Sequence, residues 1–374
     1  MDERERYAFT AEWYDPNASF NRQYQVLFYP SDSTIEMFDI KNRRLFLKRS
    51  KCSHVQLKDL FIGATVNIHS RQLTITDFGD EFTTKKLRST KEKTLGVIKP
   101  DCVSKLGDIF DRVTTEGFII CQAKMIMLSP KEARDFYAEH EGKPFYEKLV
   151  GFMTECPIVA FEITGVNAIT KWREILGPMD SSEARKEAPN SIRAQHGTDE
   201  TKNACHGSDS EEAAKREADF FFGPKSRRKN TATFTKCTLG IIKPHAVMEG
   251  LTGKIIKEIT DAGFTVSALK LQNMEKANVQ EFYEVYKGVV SEYSSMVEEL
   301  TSGPCIAMEI TGDNAHARFR EFTGPVDPEI ARHLRPHTLR AKFGTDKIKN
   351  AIHCTDLPED SLLEVEYFFK ILDS

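Results

Sequence analysis

The 374-residue sequence contains no stretch approaching the ~18 uninterrupted apolar residues of a membrane-spanning helix. It contains no C-x-x-C pair. Its eight cysteines, at 52, 102, 121, 156, 205, 237, 305 and 354, are scattered, several of them in apolar strand-like runs. They read as reduced thiols in or near a core, which suits an intracellular compartment. The opening MDERERYAFT lacks the apolar segment of a signal peptide, so a cytoplasmic setting with no membrane partner is expected. A strong charge of either sign is missing too. The net charge is −4, which gives no general attraction to nucleic acid or membrane. Hydrophobic residues at 40% and charged residues at 29% are ordinary for a globular protein.

What is present is repetition. Residues 94–101 read TLGVIKPD and 238–245 read TLGIIKPH; residues 203–210 read NACHGSDS and 350–356 read NAIHCTD. Lys99 to His206 spans 107 positions and Lys243 to His353 spans 110. A repeat of this length sets the architecture before any local reading does. It gives two units of about 135–140 residues, each large enough for its own core, after about 90 N-terminal residues.

The N-terminal part, 1–90, reads as a small mainly-β domain. YQVLFYP (24–30), TIEMFDI (34–40), RRLFLKR (43–49) and RQLTITDFG (71–79) are short, rich in aromatic and β-branched residues, and partly alternating. Trp13, Tyr14, Phe28, Tyr29, Phe38 and Phe46 are expected in its core. The basic stretch TTKKLRSTKEK (83–93) reads as a solvated linker.

In the first repeat, 91–222, KTLGVIK is a strand. Leu106, Ile109, Phe110 and Val113 form the stripe of an amphipathic helix, and FIICQAKMIML (118–128) is the next strand. Ser129-Pro130 with Glu132 starts a helix, and PIVAFEIT (157–164) is a buried strand. The second repeat, 236–374, matches element for element, and a Pro- and Arg-containing linker (223–235) separates the two. The fold class expected is α+β: two tandem ferredoxin-like domains of β-α-β-β-α-β type, each an antiparallel sheet with helices on one face, after the β domain.

The repeated residues suit phosphoryl transfer. Histidine is largely neutral near pH 7 and can act as nucleophile, given a group to orient it and cations for the phosphate charge. His206 is followed by Gly207, which permits close approach. Ser208 lies two positions on, and Glu217 lies eleven on, where a helix would bring it back. Arginines supply bidentate phosphate binding. The same set recurs as Lys243, Tyr283, Arg320, Arg340, Asn350, His353, Thr355 and Glu364, with Arg–Arg, Arg–Asn, Asn–His and His–Glu spacings of 20, 10, 3 and 11 in both copies. One such histidine alone would be an ordinary structural residue. A whole set repeating in order is not covered by that explanation.

By IKPD, N-x-x-HGSDS and the intervening tyrosine and arginines, each repeat resembles a nucleoside diphosphate kinase, over about three quarters of the chain. The resemblance implies that His206 is phosphorylated in a ping-pong cycle, oriented by Glu217, which Ser208 holds. It places Lys99, Tyr137, Arg173 and Arg193 on the phosphates of ATP, GTP or a nucleoside diphosphate, Asn203 on the ribose, and Phe145 with Leu149 at the base. Stacking on a ring face implies broad base tolerance. Mg²⁺ would be carried mainly by the nucleotide phosphates, with Asp209 reaching it through water. In the second repeat His353 and Glu364 would be catalytic, and Lys243, Arg320, Arg340 and Asn350 nucleotide-binding. Members of the family assemble as hexamers; two fused units imply instead a monomer with an internal pseudo-dimer. The N-terminal region resembles a DM10 domain. That implies a cytoskeletal location on the cilium or flagellum axoneme and at the centrosome, with tubulin, axonemal microtubule proteins and the γ-tubulin complex as partners. In that light a chiefly structural, microtubule-associated scaffold is the rival function.

The sequence departs from the family pattern in places. Asp101 becomes His245 in the second repeat, and a phosphate-contacting threonine falls on Met179 and Val326. The Lys143-Pro144-Phe145-Tyr146 segment becomes Val290-Ser291-Glu292-Tyr293. Stacking is worth roughly 1–3 kcal/mol per base, so its loss weakens nucleotide binding about 5- to 150-fold. Cys354 stands in place of Gly207 and is expected to narrow the approach to His353. The first repeat is therefore expected to carry most turnover, with the second weak or silent. His245, His333 and His337 carry no partner pattern and read as ordinary residues.

Overall fold

The computed structural model describes residues 5–87, apart from 16, 17 and 19, and 92–373, apart from 225 and 227. The chain divides into two compact units, one made of residues 1–91 with 273–304, the other of 92–272 with 305–374.

In the first unit, strands β1 (Tyr7–Asp15), β2 (Phe20–Tyr29), β3 (Thr34–Asp39), β4 (Arg44–Lys51), β5 (Thr65–Ile68) and β6 (Arg71–Phe78) form an antiparallel sheet in the order β4-β3-β2-β1-β6-β5. Alternation places Ile35, Met37 and Asp39 of β3 inward. Phe9, Tyr24, Val26, Phe28, Leu73 and Ile75 fill the core. Of the six aromatics expected there, only Phe28 is fully enclosed; Tyr14 is 57% exposed. The stretch 83–93 is more than a solvated linker. Its first part lies in a helix, Glu81–Leu87, whose buried Thr83 accepts a hydrogen bond from the Ala8 N–H at 2.8 Å. Residues 88–91 lie outside the described set. The Asn67 amide on β5 donates to the Thr301 carbonyl, fastening residues 273–304 to this sheet.

In the second unit, the first repeat contributes β7 (Glu92–Ile98), β8 (Ile119–Ile126), β9 (Ile158–Gly165) and β10 (Cys205–Gly207). The second contributes β11 (Cys237–Ile242), β12 (Thr265–Asn273), β13 (Pro304–Thr311) and β14 (Ile352–Cys354). Each quartet has the strand order 4-1-3-2 of the β-α-β-β-α-β arrangement. The two join edge to edge at β8 and β12 as one eight-stranded sheet, β10-β7-β9-β8-β12-β13-β11-β14. Within this unit the tandem repeats form an internal pseudo-dimer.

Helices cover both faces of the first half-sheet rather than one. Helices Leu106–Thr115 and Ala168–Leu176 pack Ile109, Phe110 and Trp172 on one side. Helices Pro130–Phe136, Tyr146–Met153 and Glu211–Phe222 pack against Leu95, Val97 and Ala160 on the other. All eight residues of β9 are buried as a result, as its unbroken apolar run permits. Across the seam, helix Leu106–Thr115 meets helix Thr252–Asp261 with their backbones in contact. A Cβ on Gly107 would stand 2.3 Å from the Lys257 nitrogen, and one on Gly253 1.9 Å from the Asp111 nitrogen. Only glycine admits that approach.

At the same seam Lys124 of β8 lies directly opposite Lys270 of β12. Asp373 joins them, with Oδ1 2.7 Å from Lys270 Nζ and 3.4 Å from Lys124 Nζ. Asn230 donates to the same carboxylate at 2.8 Å. The segment between the repeats is packed too: Arg228 lies 3.6 Å from the Phe220 ring centre, and the backbone N–H groups of Thr233 and Phe234 donate to buried Glu309 at 2.8 and 2.7 Å.

Candidate active site

The two motifs of each repeat are laced together by backbone. Ala204 sits at φ 67°, a left-handed conformation uncommon for alanine. Its N–H donates to Asp101 Oδ2 at 3.0 Å, and its carbonyl accepts from the Lys99 N–H at 2.8 Å. This turn presents the next residues, Cys205–Gly207, as the edge strand β10 paired to β7. In the second repeat Ala351 has φ 69°, its carbonyl accepts from the Lys243 N–H at 2.9 Å, and its N–H donates to His245 Nε2 at 3.1 Å. His245 is therefore not an ordinary residue. It does the work of Asp101, and its register with Asp101 was the available signal. Acceptance at Nε2 places the ring proton on Nδ1.

His206 is partly exposed, at 21%, and its Nε2 lies 2.8 Å from Glu217 Oε2. Helix Glu211–Phe222, started by Ser210, returns the carboxylate to the histidine. Ser208 Oγ donates to the same oxygen at 2.7 Å. Burial alone would raise the Glu217 pKa, but the bond and charge from His206 and the bond from Ser208 bring it below the usual value. An ionised Glu217 accepts the Nε2 proton and so leaves the lone pair on Nδ1. Phe136 and Tyr137 wall the imidazole edge-on, with ring centres at 5.4 and 6.1 Å.

Cations converge on the same strand edge. Lys99 is 6% exposed; its Nζ donates to the Thr201 carbonyl at 3.1 Å and to Asn203 Oδ1 at 2.7 Å. Burial first, and the Arg193 charge second, bring its pKa down to about 8. Asn203 also donates to the Met179 and Glu200 carbonyls at 3.0 Å each. Its Oδ1 thereby positions Lys99. Arg193 donates to the carbonyls of Gly177 and Cys205 at 2.9 and 3.1 Å, one residue from His206, and burial lowers its pKa. Arg173 donates weakly to the Asp209 carbonyl at 3.4 Å, leaving most of its fork open. Tyr137 is buried, its hydroxyl has no hydrogen-bond partner among the described residues, and burial and the Glu217 charge push its phenol upward. Phe145 is 39% exposed at the start of helix Tyr146–Met153, with Leu149 buried one turn on.

The second repeat keeps most of this geometry. His353 Nε2 lies 3.0 Å from Glu364 Oε2, and Thr355 Oγ1 donates to that oxygen at 2.8 Å. Lys243 Nζ donates to the Ile348 carbonyl at 2.8 Å, and Asn350 to the Val326 carbonyl at 3.0 Å. Arg340 donates to the Gly324 and Ile352 carbonyls at 2.9 and 3.1 Å. Three differences separate the copies. The side chain of His353 is 9% exposed against 21% for His206. Arg320 is held by the Asp356 carboxylate at 2.5 Å. Cys354 does not narrow the approach to His353 but lies in the core. A Cβ on Gly207 would strike Trp172 and Leu176 at 2.7 Å, away from the open side. Their counterparts, Phe319 and Thr323, are smaller and admit the thiol. No group of three or more His, Cys, Asp or Glu side chains arranged to hold a metal occurs among the described residues.

The family profile "Nucleoside diphosphate kinase" matches residues 92–226 and 236–373, and "Nucleoside diphosphate kinase 7 N-terminal PH domain" matches residues 1–89. The chain is 56% identical to "Nucleoside diphosphate kinase homolog 7" of Rattus norvegicus, covering 100% of this chain and 95% of that one. The Mus musculus protein of the same description matches with the same identity and coverage. A solved nucleoside diphosphate kinase from Halobacterium salinarum in complex with CDP is 37% identical, covering 35% of this chain and 88% of that one, at a TM-score of 0.33. With both repeats and the N-terminal module matched in order, the chain belongs to the nucleoside diphosphate kinase family, in the tandem form that follows an N-terminal PH-like domain.

Proposed function

We propose that the chain transfers the terminal phosphoryl group of a nucleoside triphosphate to a nucleoside diphosphate through phosphohistidine at His206, mainly in the first repeat. The observation that carries this reading is His206 itself. Glu217 and Ser208 fix its Nε2 side, while Nδ1 has no protein partner among the described residues and sits on an edge with Lys99 and Arg193. Nδ1 would attack the terminal phosphorus in line, the phosphate–oxygen bond to the leaving diphosphate would break, and a diphosphate acceptor would reverse the step. Asp209, exposed beside Arg173, would reach through water the Mg²⁺ brought in on the nucleotide, where the ion would neutralise phosphate charge. The test is incubation with γ-labelled ATP, Mg²⁺ and no acceptor. Acid-labile, alkali-stable label is expected on the wild type, discharged by GDP and absent from His206→Gln. Label retained in full by that variant and lost in His353→Gln would reverse the assignment of repeats.

Lys99 gives the reaction a pH limb. Its ammonium is charged below about 8 and is lost as pH rises through about 8, so kcat/KM is expected to fall on that side. A profile from about pH 6.5 to about pH 9.5 checks it, with Lys99→Met expected to flatten the limb. A wild-type profile level across the range would take the Lys99 ammonium out of phosphate binding.

On the DM10-like character of the N-terminal module we also propose residence on ciliary and axonemal microtubules and at the centrosome, with tubulin and the γ-tubulin complex as partners. Co-sedimentation with microtubules that survives His206→Gln would support a scaffold role independent of turnover. A diffuse protein that never sediments would remove it. The edge pairing of β8 with β12 inside one chain supports a monomer, which light scattering checks.

A further inference from the structure

Beside the phosphate-facing arginines each repeat has an open cleft, about 610 Å³ in the first and about 630 Å³ in the second. Seven lining positions correspond at an offset of 147 residues, so each cleft serves as an internal control for the other. Their size is the same and their charge is opposite. The first is lined by Arg173, Glu174, Glu187 and Asp209. The second is lined by His316, Arg320, Glu321, Arg335 and Arg340. Ile169 has become His316, Ala188 has become Arg335, and the carboxylate of Glu187 has become the apolar Leu334.

Two of these arginines, Arg340 and Arg335, are incompletely neutralised among the described residues. Among the described residues Arg340, 5% exposed, bonds the carbonyls of Gly324 and Ile352 and the thiol of Cys354 and no carboxylate. A buried guanidinium without a counter-charge is costly and calls for an anion. Arg335 reaches Glu321 only at 4.0 Å. Arg320 is engaged by Asp356, and the reason lies one residue on. In the first repeat Ser210 Oγ donates to the Asp209 carboxylate at 3.1 Å. In the second its counterpart is Leu357, which has no donor, and the carboxylate turns to the arginine.

We propose that the cleft of the second repeat binds a linear oligophosphate chain of three or more phosphates and holds it without requiring turnover at His353. Arg340 and Arg320 take two phosphates, as the family reading gives them, and Arg335 extends the cationic floor beyond, beside His316, whose Nε2 lies 3.1 Å from the Thr355 carbonyl. Asp356 occupies Arg320 until the anion displaces it. The chemistry recognised is the phosphate chain, whether inorganic or carried by a nucleoside.

The test is calorimetric titration of the full chain with sodium tripolyphosphate in metal-free buffer. Two classes of site are expected, the tighter one in the second repeat. His316→Ala with Arg335→Ala, both away from the core, is expected to weaken the tight class about tenfold or more, the scale of lost charge-assisted contacts. Asp356→Asn is expected to tighten it about threefold, since an exposed ion pair is worth little. Glu187→Leu with Ala188→Arg grafts the floor onto the first repeat and is expected to create a second tight class. The proposal rests on Arg320 facing phosphate. If Arg320→Ala abolishes the tight class while the His316/Arg335 variant stays within about twofold of wild type, that reading stands and the extension falls. A graft with no effect also overturns it. ATP and ADP are the second arm. ATP equal to tripolyphosphate assigns the site to the chain alone, and a tighter ATP assigns it to a nucleoside triphosphate. ADP binding as tightly as ATP overturns the length preference.

Discussion

Replacing Asp373 with alanine is expected to lower the melting transition of the two-repeat unit by about 10 °C. Lys124 and Lys270 face each other across the β8–β12 seam, and like charges directly opposed in a sheet repel. Asp373 lies against both, and the three side chains keep only 17%, 19% and 13% exposure. Removing one partner from such a cluster leaves unneutralised charge out of water, at a cost of about 3–5 kcal/mol. For a unit of this size each kcal/mol moves the transition by about 2–4 °C. The carboxylate also gives the seam a pH dependence. Burial would raise the Asp373 pKa, but the bonds from Lys270 and Asn230 and the charges of Lys270 and Lys124 bring it below the ordinary value. Its contribution is therefore present above the unfolded value of about 3.9 and lost as pH falls through the lower folded value. Calorimetry of wild type, Asp373→Ala, and Asp373→Ala with both lysines changed to methionine checks the argument. The triple change should recover most of the loss. An Asp373→Ala protein melting within about 1 °C of wild type would show that the seam does not need the carboxylate.

The second large effect is expected at Glu217. Changing it to glutamine should reduce the rate of His206 phosphorylation about 100-fold or more, with little change in nucleotide affinity. The single oxygen Oε2 now accepts from both His206 and Ser208. Glutamine offers a neutral acceptor and can present N–H₂ to Nε2 instead, which favours the tautomer with its proton on Nδ1, where the lone pair is needed. Comparable losses, about 10²–10⁴-fold, attend the removal of groups that hold a catalytic proton in place. Single-turnover label transfer separates the rate from binding. A wild-type rate with a raised nucleotide Kd would mean that Glu217 shapes the pocket and does not orient the histidine.

The repeat itself made much of this legible. TLGVIKP and NACHGSDS repeat at nearly constant spacing, 107 against 110 positions from lysine to histidine, so the sheet halves could be placed from the residues, while the resemblance supplied the roles of the His–Ser–Glu set. The strands that went unread were β1 and β5, with the three-residue edge strands β10 and β14. YAFTAEWYD mixes threonine and glutamate among its aromatics, and TVNI is only four residues long. Their pairing partners lie elsewhere in the chain, and tertiary context outweighs so weak a local pattern. Helices on the second face of the sheet were missed because an antiparallel sheet can leave one face to water, although the unbroken PIVAFEIT run argued otherwise. His245 needed the backbone strain of Ala351 to become meaningful. Cys354 was misjudged because a residue beside a nucleophile need not point where the nucleophile points. The compensation lies in Phe319 and Thr323, more than thirty positions away. Asp373 carries no motif; only the fold brings it to the seam.

Lys124 and Lys270 are each other's counterparts, so the seam is where a two-fold axis would pass. In a true homodimer a residue on the axis meets its own copy, and every correction must be made twice and be self-complementary. Covalent fusion lifts that rule. A single carboxylate from the end of one repeat serves both lysines, while the matching position in the other repeat is Ser226. A chain freed from symmetry can let one half keep an open histidine and the other close around its own, and the oppositely charged clefts show how far the two halves have parted.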